Sequence, residues 1–141
     1  MIHRLHVTLP LPPSVNNQYA TVEGRRVLSK EARRYKTNVI RNLERARGQG
    51  QISDALCEAA QRGYLALFID FYFETPMRRD LDGGLKIAQD AICTALEVND
   101  NRVVDIHLVK RIDPANPRIE VEVEVLDDWQ FEHEREVYIR E

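Results

Sequence analysis

The chain has 141 residues, 43% of them hydrophobic, and a formal net charge of −3. This length allows one domain with a buried core and is too short for two domains that each have a core of their own. No apolar run approaches the about 18–20 residues that a membrane-spanning helix needs, so we expect no membrane partner. The first residues lack the basic-then-apolar pattern of a secretory signal, which predicts a cytoplasmic protein. Cys57 and Cys93 have neither metal-site spacing nor a disulfide framework, and we expect buried free thiols.

Charge is unevenly distributed along the chain. From Gly24 to Arg47 there are nine basic residues against two acidic ones, whereas from Ile119 to the end nine acidic residues stand against two basic ones. A local basic surface can bind phosphate groups even on an acidic protein, because salt screens charges beyond about 8–10 Å. The basic segment is therefore either a phosphate-binding surface or a solvated helix face, and charge alone does not choose between them.

The N-terminal part predicts a strand, a stiff loop and a long helix. Residues 3–11 alternate between apolar and polar, which indicates a half-buried strand. Residues 12–19, Pro-Pro-Ser-Val-Asn-Asn-Gln-Tyr, form a stiff polar loop that is either a turn or a substrate-facing surface. Residues 21–28 predict a small hairpin. Ser29 is a good N-cap for a helix that reaches about Arg47, and residues 54–61 predict a shorter second helix.

The strongest strand signal covers residues 65–73. Large side chains occupy both faces of this segment, so we place it centrally in a sheet. Asp70 lies on its second face, and we expect it to pair with a basic neighbour rather than join an acidic site. Residues 103–112 and 118–125 predict two further strands, joined as a hairpin by the breaker-rich turn at 113–117.

Between these strands, residues 81–96 carry the apolar spacing of a helix. Asp82, Lys86 and Asp90 follow one another at four-residue intervals and would line its opposite face. Gly83 and Gly84 weaken its first turn by about 1 kcal/mol each relative to alanine. They indicate either a delayed helix start or close approach of another segment to the backbone.

The element order predicts an α+β fold. A single small domain over residues 1–126 would carry a mixed sheet of four or more strands, with helices packed on one face. Residues 127–141 form an acidic C-terminal extension with a few large apolar side chains, which is either docked or partly ordered.

Carboxylates cluster at the two ends of the predicted helix. Asp80 and Asp82 precede it, and Asp100 and Asp105 follow it. Oxygen donors suit hard divalent cations such as Mg²⁺, but ordinary helix-end residues stabilised by the helix dipole give the same pattern. Asp80, Asp82 and Asp100 can share an ion only if the chain folds back beside the helix start. Lys86 would either neutralise a phosphate or form an ordinary ion pair with Asp82.

Several short motifs together resemble one nuclease family. They are Leu9-Pro10-Leu11-Pro12-Pro13-Ser14-Val15-Asn16-Asn17-Gln18-Tyr19, Arg79-Asp80-Leu81-Asp82, Lys86, Asp90-Ala91 and Asn99-Asp100-Asn101-Arg102-Val103-Val104-Asp105. In order and approximate spacing they resemble RusA-type Holliday junction resolvases, over roughly residues 5–125. The resemblance implies a RusA-like fold, a homodimer, and an endodeoxyribonuclease that nicks four-way DNA junctions symmetrically in recombination and repair. It also implies Mg²⁺ as the cofactor, with Mn²⁺ as the alternative.

The same resemblance implies roles for individual residues. Asp80, Asp82 and Asp100 would bind the metal and, together with Lys86, carry out catalysis. Contacts to the DNA backbone would come from Asn16, Asn17, Lys30, Arg33, Arg34, Arg78 and Arg79.

Two positions depart from the family pattern and keep other functions open. Gly83 stands where the family usually has asparagine, and Asn99 stands where it has a further aspartate. A junction-binding protein that has lost cleavage is therefore the alternative function. A metal-dependent hydrolase of a small phosphorylated substrate is a third hypothesis, which the extent of the basic surface disfavours.

Overall fold

The computed structural model describes residues 3–14, 17–77 and 79–132. Within those ranges the elements are β1 (His3–Leu9), β2 (Tyr19–Val22), β3 (Arg25–Leu28), α1 (Lys30–Gly48), α2 (Asp54–Arg62), β4 (Tyr64–Phe73), α3 (Leu85–Ala95), β5 (Val103–Ile112) and β6 (Arg118–Leu126). A short 3₁₀ turn, Asp100–Arg102, leads into β5. None of the helices described in these ranges is long and apolar enough to cross a bilayer.

Four strands form one mixed sheet in the order β1-β6-β4-β5. β4 pairs parallel with β5 on one side and antiparallel with β6 on the other, and β6 also pairs antiparallel with β1. The predicted central position of β4 is confirmed, because a strand with bulky side chains on both faces is most stable with neighbours on both sides. The α+β class with a mixed sheet is confirmed as well.

The helices cover one face of this sheet. Alternate β4 side chains, from Leu65 to Phe73, are buried there with the apolar faces of α1, α2 and α3. The opposite face is more polar, and on it Arg111 donates to the Asp70 carboxylate at 2.8 Å, which confirms the predicted pairing of Asp70. Cys57 and Cys93 are buried free thiols, as expected from their helical positions.

The prediction that the last two strands pair as a hairpin is wrong. β4 lies between β5 and β6, so the turn at residues 113–117 crosses over the end of β4. The Asp113 amide donates to the Phe73 carbonyl at 2.8 Å, which ties this crossing to the end of β4. A strand that is apolar on both faces is stabilised more by burial between two neighbouring strands than a hairpin is by the closeness of its two strands in the sequence.

Local signals around the first helix are confirmed. Ser29 caps α1, since its hydroxyl accepts a hydrogen bond from the Ala32 amide at 3.1 Å. β2 and β3 form the small hairpin, and its turn places Glu23 and Gly24 at positive φ. That conformation is easy for glycine, which explains Gly24 at the second turn position.

The helix after the acidic motif begins later than its apolar spacing suggested. α3 starts at Leu85, so Asp82 lies in the preceding turn and does not share a helix face with Lys86 and Asp90. The delay follows from the two glycines, and Gly84 is also packed closely against Pro12.

The start of the acidic extension packs beside the sheet. The Phe131 ring lies 5.3 Å from the Tyr64 ring and 6.0 Å from the Trp129 ring, both in edge-to-face geometry. These contacts belong to residues 127–132, and the remainder of the predicted extension lies outside the described residues. The division at residue 126 stays a prediction.

Candidate active site

The acidic turn, residues 79–84, presents two carboxylates to solvent between β4 and α3. Asp80 and Asp82 are exposed, while Leu81 between them packs against the core. Backbone hydrogen bonds shape the turn: the Gly83 amide donates to the Asp80 carbonyl and the Leu85 amide donates to the Asp82 carbonyl, both at 3.2 Å. Alternation of burial therefore points both carboxylates outward. Within the described residues, neither carboxylate enters a hydrogen bond or an ion pair.

Lys86 lies between two other carboxylates, a group that we call the lysine cluster. Its Nζ atom is 4.0 Å from Asp90 Oδ1 and 3.9 Å from Asp100 Oδ2. Partial burial raises the pKa of the Asp90 carboxyl, and a hydrogen bond with Asp100 acts in the same direction, while Lys86 opposes them. The ion pair with Asp82, one of the two alternatives for Lys86, is not formed, because Lys86 lies beside Asp90 and Asp100 instead.

Asp100 is positioned by a capped turn. The Asn99 side chain accepts a hydrogen bond from the Asn101 amide at 3.0 Å and so begins the 3₁₀ turn that carries Asp100. An aspartate could accept the same bond, so the departure at Asn99 preserves the cap. What the departure removes is one negative charge beside Asp100.

The acidic turn and the lysine cluster remain separate. The described residues contain no group of three carboxylates, histidines or cysteines that could hold one metal ion. Asp80 and Asp82 follow the carboxyl end of β4, whereas Asp100 precedes the amino end of β5, which pairs in parallel with β4. The chain does fold back beside α3, but it brings Asp100 to Lys86 and Asp90 rather than to the acidic turn.

Asp105 is directed away from this region. Its carboxylate lies 3.1 Å from His107 Nε2, and the His107 ring stacks on Phe68 at 4.8 Å. Phe68 belongs to the face of β4 opposite the buried core, so Asp105 is on the side of the sheet away from the helices. It is therefore not a fourth member of the acidic turn or of the lysine cluster.

Two adjoining hollows on α1 carry the predicted basic surface. One, of about 560 Å³, is lined by Lys30, Arg33, Arg34, Thr37, Asn38 and Arg41. The other, of about 530 Å³, is lined by Leu11, Pro12, Pro13, Ser14, Asn17, Glu31, Arg34, Tyr35, Asn38 and Arg79. Arg34 and Asn38 line both, so the surface is continuous. Asn16 and Arg78 lie outside the described residues.

Arg79 is less available than a surface arginine. Its Nη2 atom donates to the Pro12 carbonyl at 2.6 Å, and its guanidinium carbon lies 5.3 Å from the centre of the Phe73 ring. Burial lowers its pKa, while Glu31 and Tyr35 act against that shift. Part of this side chain is already hydrogen-bonded to the loop beside it. The role predicted for Arg79 in DNA binding stays a prediction.

Two contributors to this region were not singled out as site residues from the sequence. Arg41 lines the basic hollow on the same helix face as Arg33 and Arg34, and the helical spacing of these residues was a usable signal. Gln18 is buried between the proline-rich loop and the acidic turn. Nothing in a run of polar loop residues indicates that one of them is buried.

Comparison with known proteins identifies the family. A family model described as endodeoxyribonuclease RusA matches residues 10–124. The chain is 31% identical over 123 residues to the crossover junction endodeoxyribonuclease RusA of Escherichia coli O139:H28. The aligned region covers 86% of this chain and 95% of that protein. It is 30% identical over 119 residues to the corresponding protein of Enterobacteria phage 82, covering 84% and 92%. The resemblance of the motifs is thereby confirmed, and the chain belongs to the RusA endodeoxyribonuclease family.

Proposed function

We propose that this protein is an endodeoxyribonuclease that resolves four-way DNA junctions by paired symmetric nicks in recombination and repair, in the cytoplasm. The relatives that share most of its length are named crossover junction endodeoxyribonucleases. The observation that carries the proposal is the position of Lys86. This exposed lysine of α3 lies between Asp90 of the same helix and Asp100 of the following 3₁₀ turn, and α3 packs against the helix that bears the basic hollows.

The basic hollows would hold the DNA backbone. Arg33, Arg34 and Arg41 offer guanidinium groups along one face of α1, and such contacts neutralise phosphates without reading sequence. Because α1 packs against α3, a strand held there would pass close to Lys86. The Lys86 side chain is 71% exposed, so it can turn toward a phosphate and stabilise the charge that develops during cleavage.

A divalent cation is part of this proposal, with Mg²⁺ expected and Mn²⁺ as the alternative. Asp80, Asp82 and Asp100 would hold it, and their carboxylate oxygens are the donors that such ions prefer. When bound, the ion supplies a water of lowered pKa and stabilises negative charge on the phosphate. Asp100 must approach the acidic turn for all three to bind one ion. Exposed ion pairs near 4 Å cost little to break, so the lysine cluster permits that movement.

A homodimer is also proposed, because two symmetric cuts in a junction of near two-fold symmetry suit a two-fold enzyme. β5 is an outer strand of the sheet and carries exposed apolar side chains at Ile106 and Ile112, with 37% and 44% of their surface accessible. Such an edge suits pairing with a second copy. Sedimentation velocity should give twice the chain mass, and Ile106→Glu should lower it to the monomer.

The test of the proposed function is cleavage of a synthetic four-way junction. With Mg²⁺ the wild type should cut both symmetric strands, and Asp82→Asn should abolish cutting while junction affinity is kept. Asp127→Asn makes the same chemical change at an exposed position at the end of β6, so it serves as the matched control. Binding without cutting by the wild type, in both Mg²⁺ and Mn²⁺, would contradict the proposal.

One observation favours a second candidate, a junction-binding protein that has lost cleavage. The described residues hold no preassembled group of three metal ligands, and Asn99 replaces a charged residue beside Asp100. Under this alternative, Asn99→Asp should create or strongly raise cleavage. Under the proposed function, the wild type already cleaves and that change has a modest effect.

A further inference from the structure

The described part of the proline-rich loop, residues 10–14 and 17–18, lies directly against the acidic turn. Gln18 joins the two: its Nε2 atom donates to the Gly83 carbonyl at 2.7 Å and to the Pro13 carbonyl at 2.9 Å. Gln18 is 3% exposed, and it is the one polar or charged residue buried to this degree among the described residues. A buried amide that uses both of its N–H donors on two separate segments holds those segments together.

The opposite end of the acidic turn is held as well. Arg79 donates from Nη2 to the Pro12 carbonyl at 2.6 Å, and its own carbonyl accepts from Lys110 Nζ at 2.8 Å. The turn is therefore attached at Arg79 and at Gly83, on either side of Asp80 and Asp82. The two exposed carboxylates have no such partners within the described residues, so these attachments fix where they lie.

The acidic turn can pack closely against Pro12 because Gly84 has no side chain. A Cβ atom at this position would overlap Pro12 Cγ and lie 3.1 Å from Pro12 Cβ. A Cβ on Gly83 would meet nothing closer than the Asp80 carbonyl, at 3.4 Å, which is an ordinary contact. Gly84 has a φ of −109°, so the requirement comes from packing against a rigid proline ring and not from backbone conformation.

The loop is anchored in turn to the start of α1. The Tyr35 hydroxyl donates to the Pro10 carbonyl at 2.8 Å, the Ser29 amide donates to the Gln18 carbonyl at 2.9 Å, and the Ser29 hydroxyl donates to the Asn17 carbonyl at 2.6 Å. Ser29 also caps the helix that carries the basic hollows. The acidic turn and the basic helix are therefore connected through one short loop.

We infer that residues 10–14 and 17–18 of this loop are a brace. Gln18 of the brace and Gly84 of the acidic turn are positioning residues that hold the Asp80 and Asp82 carboxylates at a fixed place relative to the basic helix. This inference rests on the proposed function, since it assigns the brace to DNA cleavage. It gives the proline-rich motif a role inside the protein, whereas the motif on its own could equally be a turn or a substrate-facing surface. Gln18 and Gly84 contact no reacting group; they act through the turn.

The first test measures the brace without using activity. Gln18→Glu keeps the size of the side chain but replaces Nε2, which donates to two carbonyls, with a carboxylate oxygen that cannot donate. Hydrogen exchange, followed by mass spectrometry on a peptide covering residues 79–85, should become faster in this variant although the substitution is 65 positions away in the chain. Unchanged exchange in that peptide, with the variant folded, would overturn the brace.

The second test uses the two adjacent glycines as a matched pair. Gly84→Ala should lower the single-turnover cleavage rate by roughly 10–100-fold, because a displacement near 1 Å of a catalytic group has an effect of that order. Junction affinity should fall much less than the rate, since no basic side chain of the hollows is replaced, and Gly83→Ala should lower the rate far less than Gly84→Ala because its Cβ meets only an ordinary contact. A merely structural defect would instead lower rate and affinity together or reduce the folded fraction, which thermal unfolding measures.

A rescue variant keeps the inference falsifiable if Gly84→Ala folds poorly. Pro12→Ala removes the Cγ atom that the new methyl group would meet. The double variant Pro12→Ala/Gly84→Ala should therefore cleave faster than Gly84→Ala, and a slower or equal rate would overturn the assigned contact. If the wild type does not cleave at all, the proposed function fails, while hydrogen exchange in Gln18→Glu still decides whether the brace exists.

Discussion

The acidic turn and the lysine cluster lie at successive parts of the same connection between β4 and β5, yet they are held by different kinds of interaction. Short hydrogen bonds to backbone carbonyls, at 2.6 to 2.8 Å, attach the turn to its neighbours. The lysine cluster relies on two ion pairs near 4 Å around a lysine that is 71% exposed. The bonds made by Gln18 and Arg79 are partly buried, and such bonds are costly to leave unpaired, whereas exposed ion pairs contribute about 0–1 kcal/mol.

This difference indicates a division between a fixed and an adjustable part. If the proposed site is completed when DNA or metal binds, Lys86 and Asp100 are the members that can move at little cost. Asp80 and Asp82 would stay where the brace puts them.

Lys86→Met should lower the cleavage rate by roughly 100–1,000-fold, which is the usual effect of removing one group that stabilises charge in a transition state. Junction affinity should change little, because many other cations contact the backbone. Lys86→Arg keeps the charge and should recover part of the rate. The measurement is single-turnover cleavage with saturating protein, and an unchanged rate in Lys86→Met would remove the lysine from the proposed mechanism.

The free energy of unfolding should depend more on the contacts of the acidic turn than on those of the lysine cluster. Gln18→Leu deprives the Gly83 and Pro13 carbonyls of their donor and should lower the free energy of unfolding by about 1–3 kcal/mol. Asp90→Asn loses an ion pair at 4.0 Å and should change it by less than about 0.5 kcal/mol. Urea unfolding measures both values, and equal losses would show that the contrast between the parts is wrong.

The positive charges on α1 should increase junction affinity but should not change the cleavage rate of the bound complex. Arg34→Gln should weaken junction binding several-fold and reduce the slope of log affinity against log salt by about one unit. Gln18→Glu should change that slope much less, because the Gln18 side chain is buried and lines neither basic hollow. Titrations at several salt concentrations measure the slopes, and a steep change in the Gln18 variant would place the brace in the DNA interface.

Gly83→Asn should have the smallest effect. It introduces the residue that the family usually carries, at a position where a Cβ meets only the Asp80 carbonyl at 3.4 Å. The cleavage rate should stay within about twofold of the wild-type rate, and the free energy of unfolding within about 0.5 kcal/mol, as for most substitutions away from packed features. A large gain in cleavage would show instead that Gly83 weakens the natural enzyme.

Much of the fold was predictable because its signals are local. Alternation along residues 65–73 and 118–125, the cap at Ser29 and the apolar spacing of α1 each depend on neighbours in the chain. The pairing of β5 and β6 was predicted incorrectly because strand order depends on which pairings bury the most apolar surface. The β4 strand gains most from lying between them, and this is a property of the whole sheet.

By itself the sequence determined the residue types available for chemistry, the helices and strands, and, through its motifs, the RusA family. Only the tertiary structure decided which of those residues meet. The return of the chain beside α3 placed Asp100 next to Lys86, and the described residues hold no preassembled group of three possible metal ligands. The burial of Gln18 and the contact of Gly84 with Pro12 join segments more than 60 positions apart, and contacts at that separation arise from packing that no local pattern contains.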